Sequence, residues 1–368
     1  MIVDSHSHIF PHLAGKSGFP TEADHCKLFQ LTIATHSEPV RRLRDHAEAP
    51  EAIQGLLDRD LQSLDDLRDD TNFRISGFGR FEWDWNGETY YRSFMPPCLQ
   101  DMTTPAGHIL QEMARAGIDM AILQNAGIYG RLNEEFALAM RDYPDKLIGL
   151  ADVWPAEADT VAESERLTHA ICNLGLKGIY FTNSELVIEG HKHRFDDPIY
   201  DGYWETVRSL GIPVFWAILG VPMPNERTYL EEIDRLDRWC QRFPDIPSLL
   251  THGFAPGLLG GDMPDPVARL LSRESMMIEL LYPIHWGRLH AYPYPELRPV
   301  IQKLIDRTGP DRLTWGSDMP NVLRNCTYKQ SLDYLFPCLE GLVIAVETDA
   351  ILGGNVLRLV GYSGERND

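Results

Sequence analysis

The chain has 368 residues and a formal charge of −20, with 34 Lys and Arg set against 54 Asp and Glu. That balance argues against nucleic acid and anionic membranes as partners, because binding to either needs clustered basic residues. No apolar run approaches the ~20 residues that span a bilayer, and the first residues lack the charged start and apolar stretch of a signal peptide. The chain is therefore read as a soluble cytoplasmic protein. Its six cysteines form no CxxC pair, which suggests neither a disulfide framework nor a thiolate zinc site, and they are taken as buried, inert thiols.

Short apolar runs rich in β-branched residues recur at residues 2–6, 118–124, 147–153, 176–181, 212–217, 247–251, 276–280 and 312–317. Most of those from the second onward follow a helix-like segment that stops at a glycine, as at Gly117, Gly211 and Gly309. Alternation of strand and helix implies parallel strands with crossovers. Eight such units, with no GxGxxG after an early strand, point to an α/β fold of the (β/α)8 TIM barrel type, one unit over residues 1–368.

Residues 12–104 interrupt the rhythm between the first and second strands and are expected to form an inserted cap over the catalytic face. Within it, residues 51–68 carry apolar positions on one face and predict a helix that starts after Pro50. Residues 74–91 alternate aromatic and polar side chains around Trp85-Asn86-Gly87 and predict a hairpin with an Asn-Gly turn.

His6 and His8 close the first run, and two strand residues two apart share a face, so both rings can reach one metal ion. His252 and Asp318 also stand directly after strand runs, where barrel enzymes place catalytic groups. His and Asp donors of this kind suit Zn, Mn or Fe. A second pair at this spacing, His191 and His193, falls in an expected loop and reads as surface.

The segments Asp4-Ser5-His6-Ser7-His8, Thr251-His252-Gly253, Trp315-Gly316-Ser317-Asp318-Met319-Pro320 and Ile351-Leu352-Gly353-Gly354-Asn355 closely resemble an amidohydrolase-related family. Its type is 2-amino-3-carboxymuconate-6-semialdehyde decarboxylase. Tyr143-Pro144-Asp145-Lys146 and Gly175-Leu176-Lys177-Gly178-Ile179 are similar to that family's third and fourth strand regions, and the cap is unmatched. The resemblance implies a distorted barrel, a homodimer, and one divalent ion, Zn or Mn, held by His6, His8 and Asp318. Asp318 and His252 would be the catalytic acid and base.

One position departs from the family pattern: Ala217 stands where the resemblance implies a fifth-strand histidine ligand. Candidate substitutes are Glu279, His252 and the histidines at 191, 193, 285 and 290. The expected activity is metal-dependent, nonoxidative decarboxylation of a planar aromatic or dienoic acid, a small-molecule carboxylate. The alternative is hydrolysis of an amide, a lactone or a C–C or C–N bond, with or without metal. A non-catalytic binding barrel ranks last. Arg80 and Trp83 of the cap, with Tyr129 and Trp216, are the expected substrate contacts.

Overall fold

A computed structural model describes residues 1–58, 63–188, 190, 192–221, 224–286 and 289–362. The strands begin with β1 (Val3–Ser7), followed in the cap by β2 (Arg41–Arg42), β3 (Arg74–Ile75), β4 (Arg80–Trp85) and β5 (Glu88–Ser93). Then come β6 (Met120–Leu123), β7 (Leu147–Gly149), β8 (Ala151–Asp152), β9 (Ile179–Thr182) and β10 (Val214–Ala217). The last are β11 (Ser248–Leu250), β12 (Met276–Leu280) and β13 (Leu313–Trp315). Every apolar run read from the sequence overlaps one of these strands, with β1 and β9 each extending one residue beyond its run, and the third run contains two, β7 and β8.

The barrel strands pair in parallel in two sheets, β1-β6-β7 and β8-β9-β10-β11-β12-β13. Leu150 alone separates β7 from β8, so one continuous segment passes from the first sheet into the second. At the opposite seam Ser7 bridges Met319, the His8 amide donates to Met319 O (2.7 Å), and the Asp318 amide donates to His6 O (2.8 Å). The ring is thus an eight-unit barrel distorted at two seams, and the second seam brings the end of β1 against the residues that follow β13.

Alternation along β10 sorts its side chains. Phe215 and Ala217 join the barrel's inner cluster with Val3, Ile122, Leu150 and Tyr180. Trp216 points to the other face and packs among Phe181, Trp204 and Trp239. The helices Ala106–Ala116 and Asp201–Leu210 end at Gly117 and Gly211 in the left-handed conformation, as the sequence anticipates.

In the cap, β4 and β5 form the expected hairpin, with Asn86 and Gly87 both at positive φ and Trp85 paired with Glu88. Residues 51–68 do not form one helix. The described part comprises a 3-10 segment, Pro50–Leu56, and a short 3-10 turn, Leu64–Asp66. The hairpin explains the difference: Trp83 Nε1 donates to Ala52 O (3.0 Å), and Gly55 lies so close to Trp85 that a Cβ there would meet the indole at 2.6 Å. An antiparallel bridge between Leu57 and Leu67 completes the fold-back. The cap's main helix, Glu22–Thr35, was not marked by periodicity, because Leu28, Phe29, Gln30, Leu31 and Ile33 are all buried and no single polar face remains. Among the described residues no helix is long and apolar enough to cross a membrane. The cysteine expectation holds only in part, since Cys98 and Cys172 are exposed while Cys240 and Cys338 are buried.

Candidate metal centre

β1 carries His6 and His8 to one place by strand geometry, and each ring is held from behind. His6 Nδ1 lies 2.9 Å from Glu279 Oε2, and His8 Nδ1 lies 2.7 Å from the Gln124 carbonyl. Both partners can only accept, so each Nδ1 carries the hydrogen and, in a neutral ring, each Nε2 presents a lone pair. The two Nε2 atoms face each other at 3.1 Å, and Asp318 Oδ1 stands 3.0 Å from that of His8 and 3.8 Å from that of His6.

Three lone-pair donors therefore converge in a site where His6 is fully buried and His8 and Asp318 nearly so. Donors around a tetrahedral zinc, with bonds of 2.0–2.1 Å, stand about 3.4 Å apart, and the observed edges of 3.0, 3.1 and 3.8 Å fall on either side of that value. The residues present fit a divalent cation. Local electrostatics agree: burial works against charge on His6, yet Glu279 and Asp318 outweigh it and raise its pKa. Burial likewise opposes ionisation of Asp318, but the neighbouring His8, His6 and His252 rings outweigh it and hold its carboxyl well below the usual range.

The surroundings fix these groups. Asp318 and His252 both adopt positive φ (61° and 63°), uncommon for residues with a side chain and typical of functional turns. Buried Asp4 accepts from Ser7 Oγ (2.7 Å), Ser317 N (2.9 Å), Ser317 Oγ (2.5 Å) and Tyr328 Oη (2.6 Å), tying β1 to the segment after β13. Asn321 Nδ2 donates to both Asp318 Oδ1 (2.7 Å) and Tyr129 Oη (2.8 Å).

Glu279 does not join the donor cluster as a substitute ligand. Its Oε2 accepts from His6 Nδ1 and from the His252 amide (2.8 Å), and its Oε1 accepts from Ser5 Oγ (2.6 Å). Both oxygens are thus engaged, Oε2 by His6 and the His252 backbone and Oε1 by Ser5, and Gly316 makes room for them, since a Cβ there would stand 2.6 Å from Oε1. His252 sits with its ring 4.9 Å from that of His6. Among the described residues, His6, His8 and Asp318 are the group that could hold a metal.

A cavity of about 460 Å³ opens onto His8, Asp318 and His252, and Ala217, Tyr129 and Tyr180 also line it. Of the expected substrate contacts, Tyr129 is in place, its ring stacked on Phe10 and 4.8 Å from that of His8. The other three are outside the lining. Trp216 faces the helices for the reason given above. Trp83 is fully buried in the cap's own core, and Arg80 lies over the Tyr91 ring. The cap reaches the cavity instead through Leu28 and Leu31 of its helix, the following Glu38, and Phe94. His193 pairs with Asp197 (3.2 Å) and His290 faces Glu296 (4.0 Å). His191 and the side chain of His285 lie outside the described residues. Sequence reasoning missed Asn321 and Arg324, which also line the cavity, although both follow Asp318 within one short turn and extending the strand-end rule would have reached them.

The family model described as Amidohydrolase matches residues 3–362, nearly the whole chain. The chain belongs to the amidohydrolase family. No curated protein sequence matches this amidohydrolase. Among solved structures it is similar to 5-carboxyvanillate decarboxylase LigW from Sphingomonas paucimobilis, at 17% identity and TM-score 0.53, covering 72% of this chain and 86% of that one. It is similar to 2,6-dihydroxybenzoate decarboxylase from Rhizobium at 16% identity and TM-score 0.55, covering 71% and 89%. It is also similar to an amidohydrolase from Burkholderia multivorans with bound zinc, at 15% identity and TM-score 0.56, covering 71% and 89%. At these identities the neighbours establish the fold of this amidohydrolase.

Proposed function

We propose that this amidohydrolase is a metal-dependent, nonoxidative decarboxylase of a planar carboxylic acid. The observation that carries the proposal is the convergence of His6 Nε2, His8 Nε2 and Asp318 Oδ1 beside a cavity walled largely by apolar and aromatic groups. These three residues would hold one divalent ion, Zn or Mn, which supplies Lewis-acid polarisation of a substrate oxygen when bound. Glu279 keeps His6 and the His252 backbone in position. The volume suits a one-ring acid, and Tyr129 offers an aromatic face beside His8.

In this reading His252 delivers its imidazole hydrogen to the ring carbon as the bond to the carboxylate breaks. The bond's electron pair becomes the new C–H bond, carbon dioxide leaves, and His252 regains a proton from solvent. Asp318, held anionic among the histidines, stays a ligand and does not supply that proton. Ala217 contributes no donor and little bulk at the end of β10, and its small side chain would leave room for substrate oxygens beside a bound ion.

Product analysis tests the reading. Incubation of the zinc- or manganese-loaded enzyme with hydroxybenzoates in deuterated water is expected to release carbon dioxide and leave one deuterium at the vacated carbon. Oxygen-18 from water in the product, without carbon dioxide, would instead assign the hydrolytic reaction.

A further inference from the structure

Arg324 is the one Arg or Lys among the described residues lining the cavity. It ends the 3-10 turn Asn321–Arg324, and that turn binds both sides of the site together. Arg324 Nε donates to Asn321 O (3.3 Å), while the Asn321 side chain donates to Asp318 Oδ1 and Tyr129 Oη. The Arg324 guanidinium lies over the Phe94 ring at 5.7 Å. Its Nη1 is buried and has no hydrogen-bond partner among the described residues; Glu38 Oε1 stands 3.9 Å away, beyond hydrogen-bonding range. A buried guanidinium N–H without an acceptor is costly, and a planar carboxylate is its natural complement.

We propose that Arg324 binds a second carboxylate of the substrate, one that is retained in the product, and that the enzyme therefore acts on planar dicarboxylic acids. The inference rests on the reading of the cavity as an acid site. A guanidinium paired with the departing carboxylate would stabilise the ground state and oppose the movement of its charge onto carbon. Paired with a carboxylate that keeps its charge, it holds the ring in place without that penalty. Glu38, a weak neighbour of Arg324 in the free enzyme, repels an incoming carboxylate and moderates its affinity.

Calorimetry on the full-length, zinc-loaded protein tests this with benzoate and benzene-1,3-dicarboxylate as probes. The dicarboxylate is expected to bind at least about tenfold more tightly to the wild type. Arg324→Gln should abolish that preference while benzoate affinity, zinc content and melting temperature stay unchanged, Arg324→Lys should retain part of it, and Glu38→Gln should increase it several-fold. A preference that survives in Arg324→Gln, or is absent in a wild type that binds benzoate, overturns the proposal. So does a loss of benzoate binding and melting temperature together in Arg324→Gln, which marks a structural role. If neither probe binds, the acid-site reading falls as well. If the preference behaves as expected but no acid loses carbon dioxide, only the reaction falls.

Discussion

His6 Nε2 and His8 Nε2 face each other at 3.1 Å, with each ring's other nitrogen committed to an acceptor behind it. Two lone pairs held this close repel unless a proton or a metal cation lies between them, and Asp318 Oδ1 beside both supplies the third donor that suits a metal. Protein purified without chelator should therefore contain close to one Zn or Mn per chain by plasma mass spectrometry, and His6→Ala or His8→Ala should contain almost none. Chelation should lower the melting temperature and zinc should restore it, because a ligand at a hundred times its Kd contributes about 2.7 kcal/mol. Metal-free wild type that is unaffected by zinc would refute the assignment.

Glu279 orients His6 from the far side of the ring, so its charge would act on a bound metal indirectly. Glu279→Gln should keep the fold and weaken zinc affinity by about 10- to 100-fold, as removal of such supporting partners does elsewhere. Competition against a chromophoric chelator measures this, and an unchanged zinc Kd would show that the carboxylate plays no part in tuning the site.

Ala217 gives a complementary test. Ala217→His places an imidazole on the cavity wall at the end of β10, and zinc should be retained more tightly while turnover falls, because the ring occupies space meant for substrate oxygens. Turnover equal to wild type with tighter zinc would mean that substrate does not use that space.

Asp4 bears on stability more than on chemistry. Asp4→Ala leaves the buried donors of Ser7, Ser317 and Tyr328 without their acceptor at the barrel seam. Each such donor costs about 1–3 kcal/mol, so urea unfolding should show a loss of at least about 3 kcal/mol. A loss under 1 kcal/mol would mean that the seam is held by its backbone bonds alone.

Alkaline stability follows from the buried thiols of Cys240 and Cys338 and the partly buried thiol of Cys326. Burial pushes Cys240 up to about 12, with Asp237 adding to it, and burial pushes Cys326 and Cys338 up to about 11, against an ordinary value of 9.0. Their contribution is complete below pH 9 and is lost as pH rises toward the folded values, since the unfolded chain sheds these protons first. Each thiol still protonated in the fold steepens the decline by about 1.4 kcal/mol per pH unit. Denaturation from pH 8 to 10.5 should show this slope, and Cys240→Ala should make it shallower by about one thiol's share.

Much of the fold was legible locally. The apolar runs became strands, Gly117 and Gly211 ended helices, and Asn86-Gly87 turned the cap hairpin, because each signal depends on backbone conformation within a few residues. The pairing of His6 with His8 was equally local, being a property of one strand. Alternation along β10 also carried a readable message that went unused: Trp216 and Ala217 are adjacent and must face opposite sides, so both could not meet the substrate.

Other features had no local signature. Residues 51–68 have helical spacing, but the close approach of Trp83 and Trp85 folds the described part into short turns. Glu279 lies on a strand end like a ligand, yet its two oxygens are taken by Ser5, His6 and His252, residues far apart in the chain. By itself the sequence determined which groups stand at strand ends and hence which chemistry is available. Only the tertiary structure decided which of them meet, because the convergence of His6, His8 and Asp318, and the placement of Arg324 on the same wall, depend on the register of β1 against the segment after β13 and on how the cap closes over it.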